Sequence, residues 1–572
     1  MIKSKPRSSK LEFGVTSEAR KTLLMGSGYS KEELSKPMVG IIVQESQTIH
    51  PGHTNLSELA KEVKKGVYES GGLPVVIDVG GFCDGIMMAN PKYIFVQRNV
   101  IVNMIEIAAE ANLLDALVLL ASCDKNVPAA LMSAGRINIP SIVLLGGIMP
   151  AGTFKNKKVT VEDVFHSVGK VKNGKMSESD FEELVENACT NGGACCCMTT
   201  GTTMQIITEA LGMSLPNNSS SPGNSMHIRK IARNAGHAII NLLEQNIRPR
   251  DIINKDSIMN AIKVCLAIGG SMHAFIHMPA IAIEAGLKMN VWDYFDEYSR
   301  IIPTLVGIAP NGDHNMEDYD RAGGTPVIMK EIKEFLNQDV ITVNGIPIKT
   351  YFEDTLNQDR KIIHSIDSPW REDGGLAILK GNIAEEGSVL RLSGVPKQFL
   401  TKVFKGEAKV FISEDKALKY LKTIDTKDII DKRFVLVVKN QGLSGYPGIN
   451  TLLPLTGEIT GMDLEEKIAV LTDGNFSGGT RGMCVGLVSP ESAMGGNLAL
   501  IKDNDVLEID IANRKICMEL DDLEFLKRKK EIKNPVIETN SPCLYSFSKL
   551  VRPISEGGVE NDLDRGKYKT LS

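Results

Sequence analysis

Between Pro37 and Gly147 the chain repeats one pattern, a short uninterrupted apolar run followed by a longer stretch with helical spacing. "PMVGIIV" reads as a strand, "TNLSELAKEVKKGVYESGG" as a helix closed by glycine, and "LPVVIDVG" as a second strand. A helical stretch around "IVNMIEIAAEAN" follows, and "DALVLLA" and "SIVLLGG" are two more strands flanking a helix that Pro128 could open. Apolar strands without polar alternation, separated by helices, predict a parallel sheet covered on both faces. The expected class is α/β, with an N-terminal domain built on a mainly parallel sheet.

Helical patterns dominate from about Thr203 to Leu336, and composition then changes. "QDVITVNGIPIKT" approaches strand alternation, and from Gly374 come "GLAILKGNIAEEGSVLRLSG", "AKVFISE", "RFVLVVKNQG" and "KIAVLTDGNFSGG". Short strands with glycine turns predict a β-rich domain over 375–572, after an α/β domain over 1–374. The run "LKRKKEIK" near Lys530 reads as a solvated helix face.

The 572 residues are 42% hydrophobic and 24% charged, ordinary for a globular enzyme and far from the disordered or membrane classes. A formal net charge of -5 with scattered basic residues argues against nucleic acid as a partner. The start "MIKSKPRSSKLEFG" has no apolar segment of the secretory type behind it, and no apolar run reaches membrane-spanning length. These features lead us to expect a cytoplasmic protein without a membrane partner. Thiols stay reduced there, so the 10 cysteines are expected to be buried hydrophobes or ligands rather than disulfides.

Four segments could carry chemistry. In "ASCDKNVPAALMSAGRINIPSI", Cys123, Asp124 and Lys125 follow the strand "ALVLLA" at its carboxyl end, where open α/β sheets place ligands. An isolated C-D-K tripeptide is more often a small buried Cys beside an ion pair. In "GFCDGIMMAN", Asp84 follows Cys83 beyond the strand "LPVVIDVG"; an Asp-Gly there is ordinarily a turn, yet it shares the sheet end of Asp124. Two carboxylates on neighbouring loops could share a hard cation such as Mg²⁺. The segment "ACTNGGACCCMTTGTTM" holds Cys189, Cys195, Cys196 and Cys197. Neighbouring side chains diverge, so one of the triplet at most faces a given metal, and the lack of a C-x-x-C pair argues against structural zinc. An iron–sulfur cluster suits reduced thiols from distant loops. In "LTDGNFSGGTRG", Ser477 is framed by glycines after a strand; it is either a turn or anion-binding residue or a catalytic serine, without the G-x-S-x-G elbow of a hydrolase.

In this order the four segments resemble the dihydroxy-acid and sugar-acid dehydratase family, and the resemblance spans most of the chain. It rests on "CDGI", "CDKNVPAALMSAGRINIP", "DGNFSGGTRG", "TEALGMSLP", "AIGGSMHAFIHMPAIAIEAG", "YDRAGGTPVIMKEI", "GYPG" and "VSPESAMGGNLALIKDNDVLEIDI". The resemblance implies a C-terminal β-barrel-like domain, an iron–sulfur cluster of [4Fe–4S] or [2Fe–2S] type, Mg²⁺, and a homodimer or homotetramer. By position, Cys123 and Cys195 match cluster ligands, Asp84 and Asp124 match Mg²⁺ ligands, Lys125 matches a lysine carbamylated to give a further oxygen ligand, and Ser477 matches the base. The implied reaction removes the C2 proton and the C3 hydroxyl of a 2,3-dihydroxy acid.

Several positions depart from the family pattern. Gly52 in "HPGH" stands where many members have Cys, leaving Cys83, His50 and His53 as conceivable third cluster ligands. Ser444 and Thr451 replace a usual lysine and a usual Mg²⁺-binding glutamate, Leu487 a usual histidine, and "GGSMH" the usual G-G-S-T-N. "KKGVYESGGLPV", "MEDYDRAGG" and "GYPG" look closer to the sugar-acid branch, so the expected substrate is an aldonate, dehydrated to a 2-keto-3-deoxy acid. The alternatives are a dihydroxy-acid dehydratase of branched-chain amino-acid biosynthesis and a non-catalytic homologue with an altered metal site.

Overall fold

The computed structural model describes residues 7–9, 14–46, 49–172, 174–424, 432–476, 480–532 and 539–560. Strands β1 (Met38–Val43), β2 (Leu73–Asp78), β3 (Ala116–Ala121) and β4 (Ser141–Leu145) form an all-parallel sheet in the order β2-β1-β3-β4. They coincide with the four apolar runs. β1, β3 and β4 are buried throughout, as strands between two helical layers should be. β2 differs from the expectation of two covered faces: it is an edge strand, and Val76 is 45% exposed.

The crossover helices are Leu56–Glu69, Val96–Ala111 and Asn126–Ile137. In the first, Leu56, Leu59, Ala60, Val63 and Val67 fall on one face, which packs against helix Met226–Gln245. β1 leads to β2 on one side while β3 leads to β4 on the other. The carboxyl ends of β1 and β3 therefore border the crevice at the switch in strand order, the place where such sheets receive ligands.

A small hairpin of β5 (Gly152–Phe154) and β6 (Lys157–Val159) precedes the helical region expected after Thr203. "QDVITVNGIPIKT" is not a strand pair: it closes as a turn with one bridge, Ile341 to Pro347. Pro347 has no N–H to extend a ladder.

Eight strands make the second sheet: β7 (Leu376–Leu379), β8 (Gly387–Arg391), β9 (Phe404–Phe411), β10 (Phe434–Val438), β11 (Ile468–Thr472), β12 (Met483–Ser489), β13 (Val506–Asp510) and β14 (Lys515–Met518). Their order is β14-β13-β9-β10-β11-β12-β8-β7. Just past β7, the Lys380 N–H donates to the Arg514 carbonyl and the Ile516 N–H to the Lys380 carbonyl, both at 3.0 Å. The two edges thus meet and the sheet is nearly closed into a barrel around side chains such as Val437, Leu471 and Val485. Leu376, Ile378, Val389 and Leu443 belong to the same core as the first sheet, so the two units are joined by apolar packing. Helix Asp522–Glu531 buries no residue, as the solvated reading of "LKRKKEIK" requires. Among the described residues no helix is long and apolar enough to cross a membrane.

Candidate active site

The loops after β2 and β3 each present a Cys–Asp dipeptide, Cys83–Asp84 and Cys123–Asp124, on either side of β1. Cys123 has φ of 65°, a left-handed conformation that a non-glycine residue adopts at some energetic cost. Lys125 follows it and is 0% exposed; its Nζ donates to Asp84 Oδ2 at 2.6 Å. Gln97, on helix Val96–Ala111, donates to the other carboxylate oxygen at 3.2 Å. Burial pushes the Asp84 carboxyl up; Lys125 opposes that shift and Asp124 adds to it. Asp124 Oδ1 lies 3.0 Å from where a β-carbon on Gly201 would stand, so helix Thr200–Ala210 abuts this carboxylate with its first turn.

The thiols gather beside the carboxylates. Cys83 and Cys123 act on each other: Cys83 and burial hold the Cys123 thiol well above its ordinary range, and Cys123 brings Cys83 down to about 7 against its own burial. Cys195 is pushed up by burial and by the charges of Cys83 and Asp124. The triplet diverges as neighbouring side chains must: Cys196 reaches toward Asn315, 3.9 Å away, while Cys197 meets Thr160. A β-carbon on Gly52 would stand 2.4 Å from Cys123 Sγ and 3.3 Å from the Gly193 carbonyl oxygen. The absence of a side chain at Gly52 therefore lets Cys123 Sγ pack directly against the backbone there. Among the described residues no three His, Cys, Asp or Glu side chains converge on a single ion. The donors are arranged instead as a thiol group next to a carboxylate group.

Aromatic and imidazole rings wall the other side. Phe95 is 0% exposed, with Lys125 Nζ 4.7 Å and the His273 ring 5.6 Å from its centroid. Burial, together with Lys125 and Arg98, depresses His273 so that it is neutral; Thr200 Oγ1 lies 2.9 Å from its Nδ1, and among the described residues its buried Nε2 has no partner. Both polar ends of the Gln44 amide, beyond β1, are likewise buried and unpartnered. Orphaned polar atoms around one crevice are what a site built for a polar ligand leaves behind. Glu162, which motif reading did not single out, interacts electrostatically with Asp124 and with Arg391 of β8. The only signal for His273 in the sequence is its place in "GGSMH"; for Glu162 there is none.

The second unit approaches through "GLSGYPGINTLL". Gly448 fits against Pro91, whose carbonyl oxygen would be 1.6 Å from a β-carbon there, and Lys92 Nζ lies 5.5 Å from the centre of the Tyr446 ring. This docks the loop on the segment directly after Asp84. Ser477 lies outside the described residues; Asp473, just after β11, is 0% exposed and accepts the Gln441 N–H at 2.7 Å.

Comparison with known proteins accounts for this arrangement. The family model described as dihydroxy-acid/6-phosphogluconate dehydratase N-terminal matches residues 36–351, and the corresponding C-terminal model matches 361–558. The chain belongs to this family. It is a dehydratase, a hydro-lyase acting on dihydroxy acids. A protein of Acetivibrio thermocellus named dihydroxy-acid dehydratase is 38% identical over 557 residues, 97% of this chain and 99% of that protein. One of the same name from Thermodesulfovibrio yellowstonii is 39% identical over 556 residues, 97% and 100% of the two chains. A third, from Methanothermobacter thermautotrophicus, is 40% identical over 532 residues, 92% and 95%. These names favour the branched-chain alternative over the aldonate expectation, because the likeness to such relatives extends along the whole chain. The three segments that look closer to the sugar-acid branch are short by comparison.

Proposed function

We propose that the chain is a dihydroxy-acid dehydratase that converts a short branched 2,3-dihydroxy acid, such as 2,3-dihydroxyisovalerate, into the 2-keto acid with loss of water. The observation that carries this is the full-length similarity to relatives of that name, joined to the paired Cys–Asp loops at the sheet's switch point.

The donor chemistry fits the family's two inorganic groups. Thiolates are the ligands of iron–sulfur clusters, and the thiols grouped near Gly52 are donors of that kind, with Cys123 and Cys195 as the candidate ligands. Asp84 and Asp124 offer the oxygen donors that Mg²⁺ takes, and Lys125, which meets Asp84, is the candidate for carbamylation. When bound, the two groups would supply positive charge to the substrate carboxylate and a Lewis acid toward the departing C3 hydroxyl.

The chain's own residues do the rest. Phe95 and the neutral His273 wall the crevice, so few waters compete with the substrate. Ser477 is our candidate for the base that takes the C2 proton. That proton and the C3 hydroxyl leave together as water, and the enol that remains tautomerises to the 2-keto acid. Small-molecule chemistry of this kind requires neither nucleic acid nor membrane, and the site suits a cytoplasmic, reducing setting in which thiols persist. A homodimer or homotetramer is the assembly we expect, with exposed Val100, Met104 and Ile107 on one helical face available to a second copy.

The test is 2-keto acid formation by anaerobically reconstituted protein with Mg²⁺, on 2,3-dihydroxyisovalerate and a panel of aldonates. Turnover of the isovalerate compound by wild type and its loss in Ser477→Ala is the expected result. Turnover of aldonates alone would return the protein to the sugar-acid branch. Silence on every substrate with the cluster in place would make it a non-catalytic homologue.

A further inference from the structure

We infer that Cys83 is the third thiol ligand of the cluster, standing in for the side chain that Gly52 lacks. The inference rests on the iron–sulfur reading above and goes beyond it by assigning the ligand.

The topology places it. β2 and β3 flank β1, so the loops that follow them reach the crevice from opposite sides of the Gly52 loop. Each carries the same dipeptide. Neighbouring side chains diverge, so a loop that turns Asp toward Lys125 turns the preceding Cys the other way, toward the opposite thiol. The loop after β2 does this: Asp84 bonds Lys125 at 2.6 Å while Cys83 interacts with Cys123. A thiol at position 52 would extend from a β-carbon 2.4 Å from Cys123 Sγ, so it and Cys83 are alternative neighbours of the same sulfur.

His53 has both ring nitrogens engaged, His50 has one, and the other cysteines are exposed or turned away. His53 is 0% exposed, its Nδ1 lies 2.8 Å from the Gln44 carbonyl oxygen and its Nε2 3.0 Å from Asn126 Nδ2, which leaves neither ring nitrogen for iron. His50 accepts the Cys83 backbone N–H on Nδ1 at 3.2 Å, and its ring is packed 5.7 Å from those of His53 and Phe82. It acts on Cys83 as a positioning residue. Cys189 is exposed, and Cys196 and Cys197 face away. Fully protein-ligated clusters take four cysteines. With Cys83, Cys123 and Cys195 the protein would supply three, one thiolate fewer than such a cluster takes.

The experiment is anaerobic reconstitution of the full chain with iron and sulfide, read by iron and sulfide content and by the visible absorption and EPR spectra, independently of turnover. Cys83→Ala should lose the cluster as completely as Cys123→Ala and Cys195→Ala, while Cys189→Ala retains it. Gly52→Cys in the Cys83→Ala background should recover it, since the nearest atom to the new side chain is the movable end of Cys123. A second measurement uses unmutated protein. Alkylation of the holo form should spare Cys83, and Cys83, whose thiol is lowered and partly exposed, should react once iron is removed. Cys83→Ala with wild-type iron content and spectra would overturn the assignment, as would loss of the cluster in Cys189→Ala alone. Wild type that takes up no cluster at all would instead overturn the iron–sulfur reading itself.

Discussion

The Lys125–Asp84 pair offers a test in which two substitutions must show opposite responses to pH. Lys125 is 0% exposed and the Asp84 side chain 16%, with 2.6 Å between Nζ and Oδ2. Lys125→Met leaves a carboxylate without its cation, and its least costly escape is to take up a proton. Holding an ordinary Asp protonated at pH 7 costs about 4 kcal/mol, falling to about 2 kcal/mol at pH 5. Asp84→Asn leaves the lysine, which escapes by losing its proton, at about 5 kcal/mol at pH 7 and about 2 kcal/mol at pH 9. The signs follow from linkage. Burial already raises the Asp84 carboxyl to about 8 in the wild type, and Lys125→Met removes the cation that opposes the shift, so the folded state holds the proton to still higher pH and the loss of stability above pH 4 becomes larger than in wild type. In Asp84→Asn the unfolded state binds the extra proton, so stability falls as pH drops below 10. These are ceilings, consistent with about 3–5 kcal/mol for breaking a buried pair. Asp84→Asn/Lys125→Met should lack both slopes and recover most of the loss. Hydrogen exchange of the amides of helix Asn126–Ile137 in metal-free protein, corrected for intrinsic rates, reads the effect locally as roughly a hundred- to a thousandfold loss of protection. Single variants within about 1 kcal/mol of wild type, or with slopes of the same sign, would refute a buried ion pair at the centre of the site.

Two further predictions concern the second unit. Glu491 is 0% exposed, and burial raises its carboxyl from 4.5 to about 8. The folded state therefore keeps a proton that the unfolded state releases, and stability is lost as pH rises from 4.5 to 8, by at most about 5 kcal/mol. Glu491→Gln can still accept the Ser444 N–H now bonded at 2.9 Å, and the difference between variant and wild type in denaturant melts should grow across that window. No change in this difference with pH would refute the buried carboxyl. Gly448→Ala would drive a β-carbon to 1.6 Å from the rigid Pro91 carbonyl, so the loop must lift from the Asp84 segment, at a cost of about 1–3 kcal/mol. Substrate KM and proteolysis within 442–452 should both rise; wild-type values of both would show that the loop does not dock there.

Much of this architecture was legible because continuous apolar runs have few alternatives. β1, β3 and β4 match their sequence runs, and only the exposure of β2 was hidden, since a strand's place at a sheet edge depends on topology that its own residues do not encode. The same limit applies to the site. Asp84, Asp124 and Lys125 could be named from their position at strand ends, but the contact of Cys83 with Cys123 depends on β2 and β3 lying on either side of β1. Spacing along the chain does not reveal that order. Nor could it show that His53 has both nitrogens engaged, or that His273 sits against the same phenylalanine as Lys125.

The departures from the family pattern acquire a physical meaning once the second unit is in view. Leu487 is 0% exposed within the core shared by both units, and Ser444 is anchored by its backbone to Glu491 and by its hydroxyl to the Ser548 carbonyl at 3.2 Å. Where the family ordinarily has a histidine and a lysine, these side chains join packing and internal hydrogen bonding instead. Thr451 adds no charge in place of the usual glutamate. The second unit thus brings less charge to the crevice than the family pattern would, and on the function proposed above a cation there would depend chiefly on Asp84 and Asp124, two carboxylates from loops of a single sheet. Mg²⁺ affinity should accordingly be set by the first unit. In calorimetric titration, Asp124→Asn should abolish Mg²⁺ binding, whereas Ser444→Ala should leave it within about threefold of wild type, less than the ~1 kcal/mol of a single hydrogen bond. Equal losses in the two variants would mean that the 442–452 loop still supplies a ligand.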